Sequence, residues 1–224
     1  MKTYFSPFVQ WLCCCFLFIG CMLALRIIYA GNIRYVFLVW NLFLACIPYW
    51  ISISFSGTAQ KTKLLQIFLF ASWLVFFPNA LYVVTDLIHL TKKASIPIWF
   101  DVVLLFTSSF LGIVLAFASL LNVEKFISMY FKKQEVNIIV LLLIFAGSYG
   151  VYLGRFERWN SWDVINNPRS IALDILETFI NPLDNTHVWS VIFLLTGLYS
   201  LFWYLIKTLT LQIRKNRLTN NKMA

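Results

Sequence analysis

Charge is scarce in this chain. Asp, Glu, Lys and Arg together supply 12% of its 224 residues, against roughly 25% in soluble domains, so a soluble globular domain is excluded. Histidine is scarcer still: there are two, His89 and His187, and any imidazole chemistry falls on them. The five cysteines, Cys13, Cys14, Cys15, Cys21 and Cys46, form no C-x-x-C pairs. A zinc-finger type of centre and a disulfide framework are therefore not indicated, and the cysteines read as small buried hydrophobes. No internal repeat is visible, which argues against an inverted-repeat transporter. Nor is there strict alternation over stretches of about 10 residues, which excludes a transmembrane barrel.

Long apolar runs stand in place of these features. Hydrophobic residues make up 61% of the chain and the mean hydropathy is +0.79. About 20 consecutive apolar residues cross a hydrocarbon core of about 30 Å. Six segments meet that length: 8–30, 35–55, 64–84, 98–121, 136–153 and 188–211. The expected fold is all-α, a single polytopic domain over 1–224 with six transmembrane helices. The first segment is longer than a signal-peptide core. "FIGC" at 18–21 runs on into "MLALRIIYA" instead of a polar tether, so a retained helix is expected over a lipoprotein cleavage box. The net charge of +9 is scattered over loops with no soluble domain to form a groove. It implies topology signals and anionic lipid as partner, and no nucleic acid.

Lys and Arg in short loops set orientation. With a cytoplasmic N-terminus, eleven basic residues fall inside, among them Lys2, Lys61, Lys63 and the "IRKNR" stretch. Seven fall outside: Arg26, Arg34, Lys92, Lys93, Arg155, Arg158 and Arg169. The bias places both termini in the cytoplasm. It also sorts the chemistry. Trp40 and Asn41 open the second segment, Asn79 to His89 close the third and Asp101 opens the fourth. Arg155 to Asp163 follow the fifth, and His187 precedes the sixth. All belong to loops of one side, which the charge count makes extracytoplasmic.

Local signals fill in the rest. Gly150 and Gly154 form a GxxxG, and Ser108, Gly112 and Ala116 a small-residue ladder, both suited to close helix packing. Pro48 and Pro78 should kink or break their helices, with Asn79 placed to satisfy backbone groups freed nearby. "NNPRSIALDILETFINP" predicts a short amphipathic helix over about 168–180, with Asn167 as N-cap and Pro168 at its first position. Ile171, Ala172, Ile175, Leu176 and Phe179 share its apolar face, as expected of an interfacial helix.

The candidate chemistry follows from residue types and spacing. Asp86 and His89, at i and i+3, share a helical face. With Asp101 and His187 they form a possible ligand set for Zn²⁺, Mn²⁺ or Fe²⁺, able to activate a water for hydrolysis. The alternative is a capping Asp86 and a wet His89 with no metal. Asp86, His89, Asp101 and Asp163 are the acid/base candidates. Asp101 lies inside an apolar helix and should have an interior partner, an arginine or His89. In "GRFERWNSWD", a continued helix would align Arg155, Arg158, Trp159 and Trp162 on one face. Arginine forks suit phosphate or carboxylate, so Asn79, Arg155, Arg158, Asn160 and Trp162 are the substrate-binding candidates. The plainer alternative is arginines snorkelling to lipid between aromatic-belt tryptophans.

Taken together, "WNLFLACIP", "FPNALYVVTDLIHL", "WFD" and "GRFERWNSWDV" resemble a bacterial multi-pass membrane family catalogued as domain of unknown function 1361. The resemblance runs from about Trp40 to His187. It points to Trp40, Asn41, Pro78, Asn79, Tyr82, Thr85, Asp86, His89, Leu90 and Asp101. In the long loop it points to Gly154, Arg155, Arg158, Asn160, Ser161, Trp162 and Asp163. Leu81 departs from the small or proline residue of the family pattern. The resemblance implies a bacterial cytoplasmic membrane protein and no particular reaction. Three functions are expected in turn: a hydrolase or transferase acting on a lipid or envelope substrate, a structural or assembly protein with an ion-pair network, and a carrier or channel.

Overall fold

The computed structural model describes residues 6–55, 62–90 and 96–223. Lys2, Lys61, Lys92 and Lys93, used in the charge count, lie outside the described residues. Among the described residues every regular element is a helix and none is a strand. Five stretches are long and apolar enough to cross a membrane: Pro7–Ala30, Lys63–His89, Ile98–Ile127, Lys133–Arg155 and Thr186–Ile213. The second expected segment is shorter. Its helix, Phe37–Ile53, has 17 residues, or about 25 Å at about 1.5 Å per residue, because Tyr35 and Val36 belong to the preceding turn. The chain is an integral membrane protein, its helices gathered into two compact units, Met1–Val123 and Glu124–Ala224.

The first unit holds α1 (Pro7–Ala30), α2 (Phe37–Ile53), α3 (Lys63–Tyr82) and most of α4 (Ile98–Ile127). Ser6 caps α1, its Oγ accepting from the Val9 N–H at 3.3 Å, with Pro7 at the first position. Gly31 ends it at φ 64°, a left-handed cap whose N–H donates to the Ile27 carbonyl. Neither proline breaks its helix: Pro48 and Pro78 sit inside continuous α2 and α3. Beside Pro78, the Asn79 side-chain amide donates to the Phe76 carbonyl at 3.2 Å. Helix α3 then tightens into a 3-10 stretch, Val83–His89, which carries Asp86 and His89.

Helix α4 holds that tightening in place. Ser109 Oγ donates to the Val83 carbonyl at 3.0 Å. A Cβ on Gly112 would lie 2.8 Å from the Ala80 carbonyl oxygen and 2.9 Å from Val83 Cβ. Gly112, the middle of the Ser108–Gly112–Ala116 ladder, is therefore a point of close approach of α4 to the end of α3. Trp73 stacks on Phe77 at 4.5 Å and donates to Ser119 Oγ at 3.3 Å, so its polar edge is satisfied within an apolar core. The cysteines correct the sequence reading: all five are free, but only Cys46 is buried, while Cys13, Cys14 and Cys21 are exposed. An apolar side chain on a membrane helix faces lipid as readily as core.

The second unit holds α5 (Lys133–Arg155), the four-residue α6 (Asp163–Asn166), α7 (Pro168–Ile180) and α8 (Thr186–Met223). Helices α5 and α8 pack together. At one end Lys207 Nζ pairs with Glu124 Oε1 at 2.6 Å and reaches Asn137 Oδ1 at 3.0 Å. At the other end Tyr149, Tyr152, Val188 and Ile192 form a cluster that takes up Ile175 of α7. Helix α7 begins at Pro168 as expected, although the Asn167 side chain makes no capping bond.

Candidate functional site

In the first unit, four elements bring polar groups together at one end. Arg26 projects from the last turns of α1, and Asp101 from the first turn of α4. Arg26 Nε donates to Asp101 Oδ1 at 2.8 Å and its second nitrogen reaches Oδ2 at 3.4 Å. The two side chains are 2% and 1% exposed, so the pair is effectively sealed. The remaining guanidinium nitrogen donates to Asn32 Oδ1 at 2.8 Å, and the guanidinium plane lies 4.2 Å from the Tyr35 ring centroid. A fork that meets a carboxylate, an amide oxygen and an aromatic face leaves little of the charge unsatisfied.

Tyr35, in the turn before α2, ties this pair to the 3-10 stretch. Its hydroxyl donates to the His89 carbonyl at 3.0 Å. Burial and the charge of Asp101 raise its phenol above the ordinary tyrosine range, with Arg34 and Arg26 pulling the other way. Asp86, fully buried, accepts from Asn41 Nδ2 of α2 at 2.8 Å. The His89 ring packs edge-on against Phe37 at 4.9 Å. Asn41, Asp86, His89 and Asp101 are thus drawn to one end of the first unit, as the sequence implied. Asn79 donates to the Phe76 carbonyl of its own helix.

In the second unit, the "GRFERWNSWD" stretch does not continue α5. The helix ends at Arg155, and Arg158 adopts φ 61°, which turns the chain so that the Trp159 N–H bonds the Leu153 carbonyl at 3.1 Å. The expected helical face of Arg155, Arg158, Trp159 and Trp162 is therefore not formed. Asp163 is occupied locally, accepting from the Asn160 N–H at 2.8 Å and Asn160 Nδ2 at 3.1 Å. Trp162 is 40% exposed. The His187 ring lies edge-on to Phe156 at 6.2 Å.

Here the structure also places two carboxylates that the sequence did not single out as functional. Tyr152 Oη donates to Glu157 Oε1 at 2.9 Å, and Trp159 Nε1 donates to Asp174 Oδ2 at 2.7 Å. Both acids line an open cavity of about 190 Å3, together with Tyr152, Leu153, Glu177, Thr178, Asn185 and Val188. That volume is below the roughly 300 Å3 at which ordinary ligand pockets begin; it has room for a small polar group.

Among the described residues no three His, Cys, Asp or Glu side chains come together so as to hold a metal. Asp86, His89 and Asp101 belong to the first unit and His187 to the second. Asp101 is forked by Arg26, Asp86 accepts an amide from Asn41, and each imidazole lies edge-on to a phenylalanine. Arg26 and Tyr35 were the residues missed. The signal was present, since an arginine within "LALRIIYA" needs an interior partner as much as Asp101 does.

Comparison with family models matches residues 40–202 to the family described as "Protein of unknown function (DUF1361)". No curated protein and no solved structure matches the chain. Arg26 and Tyr35 precede the matched stretch, whereas Asn41, Asp86, His89, Asp101, Glu157 and Asp174 lie within it. With well over half of its length matched, the chain belongs to the DUF1361 family.

Proposed function

We propose that this protein is a structural or assembly protein of the bacterial cytoplasmic membrane, multi-pass, with both termini cytoplasmic and its polar helix ends extracytoplasmic. The sealed Arg26–Asp101 pair carries this reading. A carboxylate forked at 2.8 and 3.4 Å by an arginine, with both side chains at most 2% exposed, is held in place and shielded from substrate. It joins α1 to α4 at the end where Tyr35 secures the 3-10 stretch. Removing one partner of such a pair costs about 3–5 kcal/mol, whereas replacing both with apolar residues is often neutral. The buried hydroxyls of Ser108, Ser119 and Ser148 each bond a carbonyl of their own helix, which supports this reading over a carrier or channel.

The test is a set of three variants followed by monodisperse yield and thermal unfolding in mild detergent. Arg26→Gln and Asp101→Asn should each lower yield and unfolding midpoint sharply, and Arg26→Met/Asp101→Leu should restore most of both. A double variant as poor as the singles would defeat the structural reading. One observation favours a hydrolase or transferase instead: the cavity of the second unit, where Glu157 and Asp174 would be the acid/base groups. That reading predicts that Asp174→Asn leaves folding intact and abolishes turnover of a lipid or phosphoester substrate.

A further inference from the structure

We propose that the outer face of α7 is a lipid-binding surface that lies in the headgroup region of one leaflet. This inference rests on the chain being a membrane protein and is independent of the role assigned to Arg26 and Asp101.

Helix α7 carries more apolar surface than its own unit covers. At about 100° per residue, Ile171, Ile175 and Phe179 occupy one part of an apolar arc, and Leu176, Ile180 and Leu173 continue it. The first part is anchored: Ile175 joins the Tyr149–Ile192 cluster, and the Phe179 ring, itself 52% exposed, lies 5.9 Å from Tyr149 and 5.0 Å from Trp189. The continuation of this stripe has no such anchor among the described contacts. Leu173, Leu176 and Ile180 are 55%, 53% and 70% exposed. Leu183 just beyond the helix is 86% exposed. The polar residues Ser170, Asp174 and Glu177 lie on the opposite arc, Asp174 and Glu177 beside the cavity.

The packed side gives the depth. Tyr149 lies six residues before the end of α5 at Arg155, about 9 Å along the axis. Trp189 lies three residues after the start of α8 at Thr186, about 4.5 Å. Both belong to stretches long and apolar enough to cross a membrane. Helix α7 is therefore fastened to them some 5–9 Å below their ends, which matches the roughly 5–10 Å at which an amphipathic helix buries its apolar face. Phe179 packs on Trp189, and Trp189 on Phe193 of α8; Phe193 and Leu194 are 61% and 75% exposed on a stretch apolar enough to cross a membrane, which argues for lipid as the occupant. Arg169, one turn before Leu173 on the same face, is spaced to reach lipid phosphate.

The test uses the full chain in vesicles of phosphatidylethanolamine and phosphatidylglycerol at 3:1. With the five native cysteines replaced by serine, a nitroxide label is attached in turn through Leu173→Cys, Leu176→Cys, Ile180→Cys, Ser170→Cys and Glu177→Cys. The stripe positions should be open to oxygen and shielded from a water-soluble nickel complex, and the other two the reverse. Nickel access along the stripe overturns the proposal, as does shielding from both reagents, which would mean that protein covers it. A second measurement keeps the native cysteines and places a benzophenone amino acid at position 176. Irradiation should give a phospholipid adduct; a protein adduct, or none, overturns the proposal.

Discussion

At the scale of single residues, Asp101 shows how a costly group is made tolerable in an apolar helix. A lone carboxylate there costs on the order of 2.5–3.5 kcal/mol on insertion scales. The cost is offset because Arg26 presents two nitrogens to it and gives its third to Asn32. Tyr35 adds a pH dependence to the same cluster. Its phenol is raised above the ordinary tyrosine value of about 10 by burial first and by Asp101 second. The folded state therefore holds the proton more tightly than the unfolded chain. Its contribution to stability is complete below about pH 10 and is lost as pH rises through the folded value. Comparing unfolding midpoints at pH 9 and pH 11, Tyr35→Phe should lose less over that interval than the wild type does. An identical loss in the two proteins would remove Tyr35 from the account. Arg158 poses a different question, because φ 61° is a left-handed conformation that costs a residue with a Cβ about 1–2 kcal/mol. Arg158→Gly relieves that strain at about 0.5–1 kcal/mol of added chain entropy. Its unfolding midpoint should equal or exceed that of wild type; a clear drop would show that the guanidinium is itself a structural contact.

At the scale of elements, packing of α3 on α4 decides where Asp86 and His89 point. Gly112 admits the Ala80 carbonyl and Val83, and Ser109 takes the Val83 carbonyl as its acceptor, so the helix tightens into a 3-10 turn from that residue onward. Gly112→Ala would place a methyl group 2.8 Å from a backbone oxygen that cannot give way. Overpacking of this kind costs about 1–3 kcal/mol. The variant should unfold at lower temperature and move the Asn41–Asp86 pair apart, read as a stability loss that is less than additive with Asn41→Ala. Additive losses would mean that the close approach and the 3-10 turn are uncoupled. The ladder of Ser108, Gly112 and Ala116 was legible in the sequence because small residues four apart have one obvious use in a membrane helix. What it lies against was not legible, since spacing names a face and no neighbour.

At the scale of the whole molecule, the decisive measurement is metal content. Purified protein in mild detergent, beside a His89→Ala/His187→Ala variant, should carry well under one equivalent of zinc, manganese or iron in either sample. One equivalent in the wild type, lost in the variant, would establish the two histidines as metal ligands. The polar end of the first unit and the cavity of the second then remain distinct features, one sealed by charge pairing and one open and acidic. The proposed structural role belongs to the first, and the room for a small polar group belongs to the second.

The apolar runs by themselves determined that this is a helical membrane protein, where its long helices lie, and that Pro168 opens an amphipathic helix. Each of these rests on periodicity and length, which a linear chain displays directly. Asn41, Asp86, His89 and Asp101 were legible as one polar end for the same reason: segments of fixed length must return their ends to the same level. Only the tertiary structure decided the partners. That Arg26 takes Asp101, 75 residues away, that Trp159 takes Asp174, and that Arg158 turns the chain out of α5 depend on which faces meet. Spacing along one helix does not encode that, because the choice is made by packing between helices.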